Sequence, residues 1–196
     1  MSKSHPADFT PICTTELTMA QKYLPEFEKR NVKIAGLSCD PVKSHLEWTR
    51  DIGAYAPELQ LGDAGKLSFP IVADPDRKLA VKLGMLDPDK QDEKGIPQPC
   101  RAVFLVDPAK KMRLSILYPA STGRNFDEII RVIDSVQLLG SGMATPANWK
   151  VGDACVVASS VAPEDIPKKF PDARLVEMPS GKKYLRFTDM GPKAKF

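Results

Sequence analysis

"SHPADFTPICTTEL" (residues 4–17) sets two prolines and a run of hydroxyl residues around one cysteine, immediately before a helical pattern begins. Leu17, Gln21, Leu24 and Phe27 recur at helical spacing over residues 14–30, and Glu16 falls in the first turn, so the segment reads as an amphipathic helix. Pro11 ends any regular structure ahead of it. Cys13 is thereby set at a helix N-terminus, where unsatisfied N–H groups and the positive dipole end favour thiolate over thiol. Thr10, three residues earlier in a turn, can direct its hydroxyl at the sulfur. A free cysteine is also a small hydrophobe that packs well in a core. For Cys13 both readings stand open at this point. Cys39, Cys100 and Cys155 lie in or beside strand-like segments, and for them packing is the simpler account.

Outward from this stretch the pattern alternates. "VKIAGLS" (32–38) is a short apolar strand, and Val42, Leu46, Thr49 and Ile52 mark a second helix. "FPIVAD" (69–74) reads as a strand and "DRKLAVKLG" (76–84) as a short helix with a glycine stop. After a polar loop over 85–99, "RAVFLVD" and "MRLSILYP" flank Asp107–Lys111 as a hairpin with a DP turn. Residues 124–138 carry Phe126, Ile130, Ile133 and Val136 or Gln137 on one face of a third long helix. Alternation of this kind specifies an α/β layer fold with a mixed sheet. From Leu139 onward six prolines punctuate short strand-like pieces, "ACVVAS", "RLVEM" and "KYLRFT", so the expected division is a first domain over 1–139 and a small C-terminal domain over 140–196.

Composition narrows the function. The chain has 196 residues, 42% hydrophobic and 27% charged, with 28 basic and 25 acidic residues mixed along it for a net charge of +3. That balance gives no electrostatic case for nucleic acid or a membrane surface. The basic end "MGPKAKF" reads as a solvated tail. No apolar run approaches the ~18 residues of a membrane helix, and the N-terminus lacks the apolar core of a secretory signal. The four cysteines are widely spaced, without C-x-x-C, which suits free thiols in a reducing compartment, the cytoplasm by default, and argues against a zinc site. Trp48 and Trp149 read as packing residues, and His45 as a partly buried helix residue without a catalytic role.

Pro6, Thr10 and Cys13 fit the pattern P-x-x-x-T-x-x-C, and the surrounding stretch closely resembles the active-site loop of the peroxiredoxins. "FPIVADPDRKLAVKLGMLD", "RLSILYPASTGRNFDEIIRVIDSVQL", "ATPANWKVGD" and "PSGKKYLRFT" resemble the one-cysteine subfamily in particular, in the same order, and the likeness runs from residue 4 to about 188. The resemblance implies a thioredoxin-like fold and a thiol-dependent peroxidase acting on hydrogen peroxide and organic hydroperoxides without metal or organic cofactor. It implies Cys13 as the peroxidatic nucleophile, Thr10 bonded to the thiolate and a peroxide oxygen, and Pro6 shielding the pocket. Arg101 would be the guanidinium beside the sulfur, Glu16 and Arg124 would orient it, and His5 would line the pocket. A homodimer is implied by the resemblance alone. No V-C-P-type segment offers a resolving cysteine, and Cys155 in "GDACVVAS" is not expected to act as one. An external reductant is therefore implied, glutathione, with delivery by a glutathione transferase as one route.

Two further expectations follow from the likeness. The family's chains begin some thirty residues earlier, with a hairpin and a buried central strand, where this sequence has "MSK". The sheet is thus expected to want a strand. A silent relative that survives as a redox-sensing or interaction module is the alternative to an enzyme. A thioredoxin-like disulfide exchanger is disfavoured by the missing C-x-x-C. Some members also hydrolyse phospholipids, but that serine and histidine would precede this sequence and their aspartate partner would fall at Ala109, so the activity is not expected here.

Thiolate formation cannot by itself supply fast peroxide reduction. An unperturbed thiol is roughly 3% ionised at neutral pH, so lowering a thiol pKa by ~3 units raises the reactive fraction about thirtyfold. At a Brønsted slope near 0.45 the same change costs roughly twentyfold in nucleophilicity per thiolate. The two nearly cancel. What remains is stabilisation of the breaking O–O bond, for which Arg101 and Thr10 are the candidates.

Overall fold

Residue 3 settles how the sheet is completed. Ser2–Ser4 forms a strand, β1, that pairs in parallel with β2 (Ala35–Ser38) on one side and antiparallel with β6 (Arg101–Val106) on the other. Lys3 lies opposite Gly36 in one ladder and Val103 in the other. The expected gap is therefore filled: Ser2–Ser4, overlapping "MSK", is itself the central strand, short as it is. The computed structural model describes residues 1–59, 61–62, 66–93 and 95–191. Of the basic tail, positions 192–196 lie outside these.

The chain divides into two compact units, Met1–Phe126 and Asp127–Phe196. In the first, a five-stranded mixed sheet runs in the order β3-β2-β1-β6-β7, with β3 at Ile71–Ala73 and β7 at Met112–Tyr118. Helix α1 (Pro11–Lys22) starts with proline in its first turn, where a missing N–H costs nothing, and α2 (Leu24–Lys29) follows after a break at Tyr23. The single helix expected over 14–30 is thus two, because Pro25 cannot donate to the preceding turn. α3 spans Val42–Tyr55, and α4, Lys78–Lys82, is stopped by Gly84 at φ +63°. The polar loop expected over 85–99 instead forms a two-stranded ribbon, β4 (Leu86–Gln91) with β5 (Pro97–Pro99). The hairpin β6–β7 pairs as expected, from Arg101↔Tyr118 to Val106↔Met112.

Packing explains the buried face. Leu37, Ala102 and Phe104 from the sheet meet Ala80, Met85 and Cys100 in one apolar cluster. Trp48 of α3 is fully buried and its indole N–H donates to Thr14 Oγ1 of α1 at 3.1 Å, which makes it a packing residue. Five consecutive residues of β6, Arg101 to Leu105, are buried, so the charge of Arg101 must find partners inside.

The second unit takes in α5 (Phe126–Gln137) beyond its first residue, then β8 (Met143–Ala144), β9 (Cys155–Val157), α6 (Ile166–Lys169), β10 (Arg174–Leu175) and β11 (Arg186–Thr188). Its strands form an antiparallel sheet in the order β10-β11-β9-β8 over a cluster of Val157, Ile166 and Phe170. Trp149 is buried, with its indole N–H on the Asp153 carbonyl.

Ser4 closes the end of β1. Its hydroxyl donates to the Cys100 carbonyl at 2.6 Å and accepts from the Ala102 N–H at 3.0 Å. Ser4→Ala would orphan both buried backbone groups, and should lower stability by ~1–3 kcal/mol. Urea unfolding measures this; an unchanged midpoint would mean the strand end is satisfied some other way.

Candidate active site

Cys13 lies in the first turn of α1 and is fully buried. The chain enters this helix through Phe9, a bulky residue at φ +53°, a conformation that side chains of its kind rarely adopt. Arg101, opening β6, reaches across to the sulfur: its Nη1 is 3.3 Å from Cys13 Sγ and 2.8 Å from Glu16 Oε2. Its Nε and Nη2 both donate to the Ala120 carbonyl, at 2.9 and 2.7 Å. The guanidinium is thus held at both ends of its fork and presents one donor edge to the thiol.

Glu16 is the hub. Arg124 donates to it three times, from its backbone N–H and Nε to Oε1 at 2.8 and 3.0 Å and from Nη2 to Oε2 at 2.7 Å. The remaining Arg124 Nη1 donates to the Ala102 carbonyl at 2.8 Å. Burial alone would raise the Glu16 carboxyl, but the bonds and charge of Arg124, with Arg101 behind, outweigh it and hold the group below its ordinary range. Glu16 and Cys13 are one helical turn apart, so the carboxylate that fixes both arginines is set by the same helix that sets the thiol.

On the other side of the loop stands Asp8. It accepts from His5 Nε2 at 2.9 Å, from Ser44 Oγ at 2.7 Å and from His45 Nδ1 at 2.7 Å. Its backbone N–H donates to Asp40 Oδ2 at 3.0 Å, which also receives the Ser38 hydroxyl. Burial pushes the Asp8 carboxyl up, yet these hydrogen bonds win and hold it well below the usual range. With Asp8 ionised, each histidine gives it one N–H. Burial pushes the His5 pKa down, and Asp8 only partly opposes it. His5, Asp8 and Asp40 bring one ligand atom each within 4.8 Å of one another. Hydrogen bonds already engage Asp8, Asp40 and His5 Nε2, so the set works as a brace that ties the loop to β2 and α3.

Of the residues the sequence pointed to, Cys13, Arg101, Glu16 and Arg124 converge in one bonded group. His5 and Pro6 are buried in the same loop. The Thr10 hydroxyl donates to the Ala7 carbonyl at 3.0 Å, so toward a reactant it presents lone pairs. Sequence reasoning missed Asp8 and Lys3, and gave His45 no part in the loop. Asp8 sits three residues from His5 and could have been paired with it by spacing; nothing local brings His45 to it from 37 residues away. Burial raises the other thiols, Cys39 to about 11, and Cys100 and Cys155 likewise upward. All four cysteines are free.

A thioredoxin-like mixed sheet that carries a buried thiol at a helix start, with a guanidinium against the sulfur, defines a thiol peroxidase. The chain belongs to the AhpC/TSA family, whose model matches residues 3–115. It is similar to the peroxiredoxin-6 of Gallus gallus, 56% identical over 94% of this chain and 82% of the relative. Among solved structures, the peroxiredoxin 6 of Arenicola marina matches with a TM-score of 0.91 at 49% identity, over 98% of this chain and 86% of that one. A yeast mitochondrial 1-Cys peroxiredoxin, whose thiol is resolved via the glutathione/thioredoxin systems, matches with a TM-score of 0.80 at 39% identity, over 95% and 84%. The chain is a thiol-dependent peroxidase. Among the described residues no helix is long and apolar enough to cross a membrane.

His5, Asp8 and Glu16 all have pKa values lowered by the fold, so the unfolded chain binds more protons and stability must rise with pH. The His5 contribution is present above its ordinary 6.5 and is lost as pH falls below it. Those of Glu16 and Asp8 are present above 4.5 and 3.8 and go as pH falls further. The melting temperature should therefore fall from about pH 8 to pH 5 and more steeply below, at ~1.4 kcal/mol per pH unit per proton. A flat profile across that range in differential scanning calorimetry would contradict the assignment.

Proposed function

We propose that Cys13 is the peroxidatic nucleophile and that the Arg101 guanidinium, clamped by Glu16 and Ala120 with one donor on the sulfur, is the group that stabilises the transition state. The observation that carries this reading is the single Arg101 Nη1 bridging Sγ at 3.3 Å and Glu16 Oε2 at 2.8 Å. The thiolate attacks the terminal oxygen of hydrogen peroxide or an organic hydroperoxide, the S–O bond forms, and the O–O bond breaks with its electron pair on the departing oxygen. Negative charge moves from sulfur to that oxygen, and a fixed cation beside both gains most when the charge is spread between them. Thr10, its own proton donated to Ala7, accepts a hydrogen bond from the peroxide O–H and so aligns it. Pro6 shields the pocket, and His5, Glu16 and Arg124 hold it in shape.

The sulfenic acid then needs a thiol from outside. Burial keeps Cys39, Cys100 and Cys155 protonated and poor as nucleophiles, which supports glutathione as reductant, free or presented by a glutathione transferase. One glutathione condenses with the sulfenic acid, releasing water and leaving a mixed disulfide. A second displaces Cys13 and leaves as oxidised glutathione. The four free thiols suit a reducing compartment, the cytoplasm. We place the peroxidase domain at residues 1–139 and the C-terminal domain at 140–196. A homodimer is supported by β7, a seven-residue edge strand with Met112 and Leu117 half or more exposed, which can pair with its own copy.

Arg101→Ala should slow oxidation of Cys13 by about 10²–10³-fold, the loss of one charged donor at a developing oxyanion. Stopped-flow tryptophan fluorescence with sub-stoichiometric peroxide measures the step, and the rate of iodoacetamide alkylation reports the thiolate separately. Equal losses in both would mean Arg101 acts only by ionising the thiol. A parent rate no better than that of a free thiol would favour the silent, redox-sensing reading.

A further inference from the structure

Lys3 is among the most deeply buried side chains of the molecule, 1% exposed, although it carries an ammonium. Alternation along β1 sends Ser2 and Ser4 to one face of the sheet and Lys3 to the other, toward α1. Its Nζ donates to the backbone carbonyl of Glu16 at 3.3 Å and stands over the rings of Phe69 and Phe126 at 5.4 and 5.6 Å. An ammonium has three donors, and one carbonyl with two ring faces is thin solvation for a full charge. A group so placed persists where the surrounding charges require it.

Those charges can be summed. Around Lys3 stand the Arg101 and Arg124 guanidiniums, the Glu16 carboxylate and the Cys13 sulfur, within electrostatic reach of its amine. His5, on the same strand's continuation, is kept neutral by burial, and Asp8 beyond it is matched by its own donors. With Cys13 as thiolate and Lys3 protonated, three cations face two anions. Oxidation to the uncharged sulfenic acid removes one anion from a buried site, and every remaining cation then becomes costlier. The arginines cannot release a proton. Glu16 is already ionised. The one cation able to discharge is Lys3, which burial and then Arg124 already push well below its ordinary pKa.

We propose that Lys3 is a positioning residue for the peroxidase reaction, holding the Cys13 thiolate by its charge and releasing its proton when that thiolate is consumed. The step balances as Cys13–S⁻ + ROOH + Lys3–NH₃⁺ → Cys13–SOH + ROH + Lys3–NH₂. The sulfur gains the peroxide's terminal O–H, the O–O electron pair leaves with RO⁻, and the proton that converts RO⁻ to ROH comes in net from Lys3 and not from bulk solvent. When the reductant restores the thiolate, Lys3 takes a proton back. This inference rests on Cys13 being the peroxidatic thiolate, which mass spectrometry of the sulfenic acid tests by itself.

The experiment is a single turnover with hydrogen peroxide and no reductant, in weak buffer near neutral pH, with a pH indicator in the stopped-flow cell. Proton uptake is divided by the sulfenic acid formed. The unmodified chain should take up close to none, whereas Lys3→Arg, which keeps the charge beside the thiolate but cannot release its proton, should take up about one proton per sulfur oxidised. Lys3→Met keeps an apolar stem but loses the charge that holds the thiolate, so its Cys13 starts as a thiol, supplies its own proton and should react more slowly with no uptake. A full proton taken up by the unmodified chain, or equal uptake in it and in Lys3→Arg, overturns the proposal even if Cys13 is oxidised normally. Should the variants not fold, the ε-carbon resonance of Lys3 in ¹³C-lysine-labelled unmodified protein decides it. That resonance should pass from ammonium to amine on oxidation, and a resonance that stays put overturns the proposal.

Discussion

The carboxylate of Glu16 is the constraint on which this site depends. Two guanidiniums, a backbone N–H and, through Arg101, the Cys13 sulfur are all referred to its two oxygens. A buried arginine without such a partner would be an uncompensated charge worth several kcal/mol against folding. The fold therefore cannot relax Arg101 away from the sulfur without breaking a bond it needs for stability. Stability and positioning are the same set of contacts, and that is why an exposed ion pair could not do this job: it would be worth ~0–1 kcal/mol and would wander.

A second constraint acts from the other side of the loop. Asp8 accepts three side-chain donors, one from the loop and two from α3, while its backbone is pinned to Asp40. The left-handed Phe9 between Asp8 and Thr10 then becomes tolerable, because the loop on one side and the helix on the other leave the backbone no alternative. The thiol is presented by a strained turn whose two ends are fixed by unrelated networks.

How much of this could be read from residues alone divides along physical lines. The layer architecture was legible, because alternation of apolar periods carries it: β2, β3, α4, β6, β7 and α5 fall within the stretches whose patterns announced them, and α3 runs on past Ile52 to Tyr55. The Cys13 thiol, Arg101, Glu16 and Arg124 were legible through one local motif and its resemblance, whereas the Ala120 carbonyl that also holds Arg101 was not. Failures arose where tertiary pairing overrode local signal. The ribbon β4–β5 is polar and carries Pro88, Pro97 and Pro99 within its strands, so nothing in its pattern asks for a strand; backbone pairing supplies it. β8 is two residues long, too short to show any period. The Asp8–His45 contact joins positions 37 apart, and a helix histidine beside serine and leucine gives no hint of its partner.

The "MSK" segment shows the limit most clearly. Residues with no strand propensity leave the sequence looking short of a strand here, yet the ladders of β2 and β6 leave one vacant place between them, and the backbone of Ser2–Ser4 occupies it. Backbone hydrogen bonds do not consult the side chain. The consequence is that a lysine is carried into the interior at a position where an apolar residue would serve packing better. Its ammonium is drawn to a helix carbonyl and two rings for want of water, and the nearest thing able to offset it is the charge of the site itself. A pairing rule that is blind to side chains thus brings a titratable amine into the field of the Cys13 sulfur, and under the proposed mechanism the charge state of the strand and the redox state of the helix become coupled.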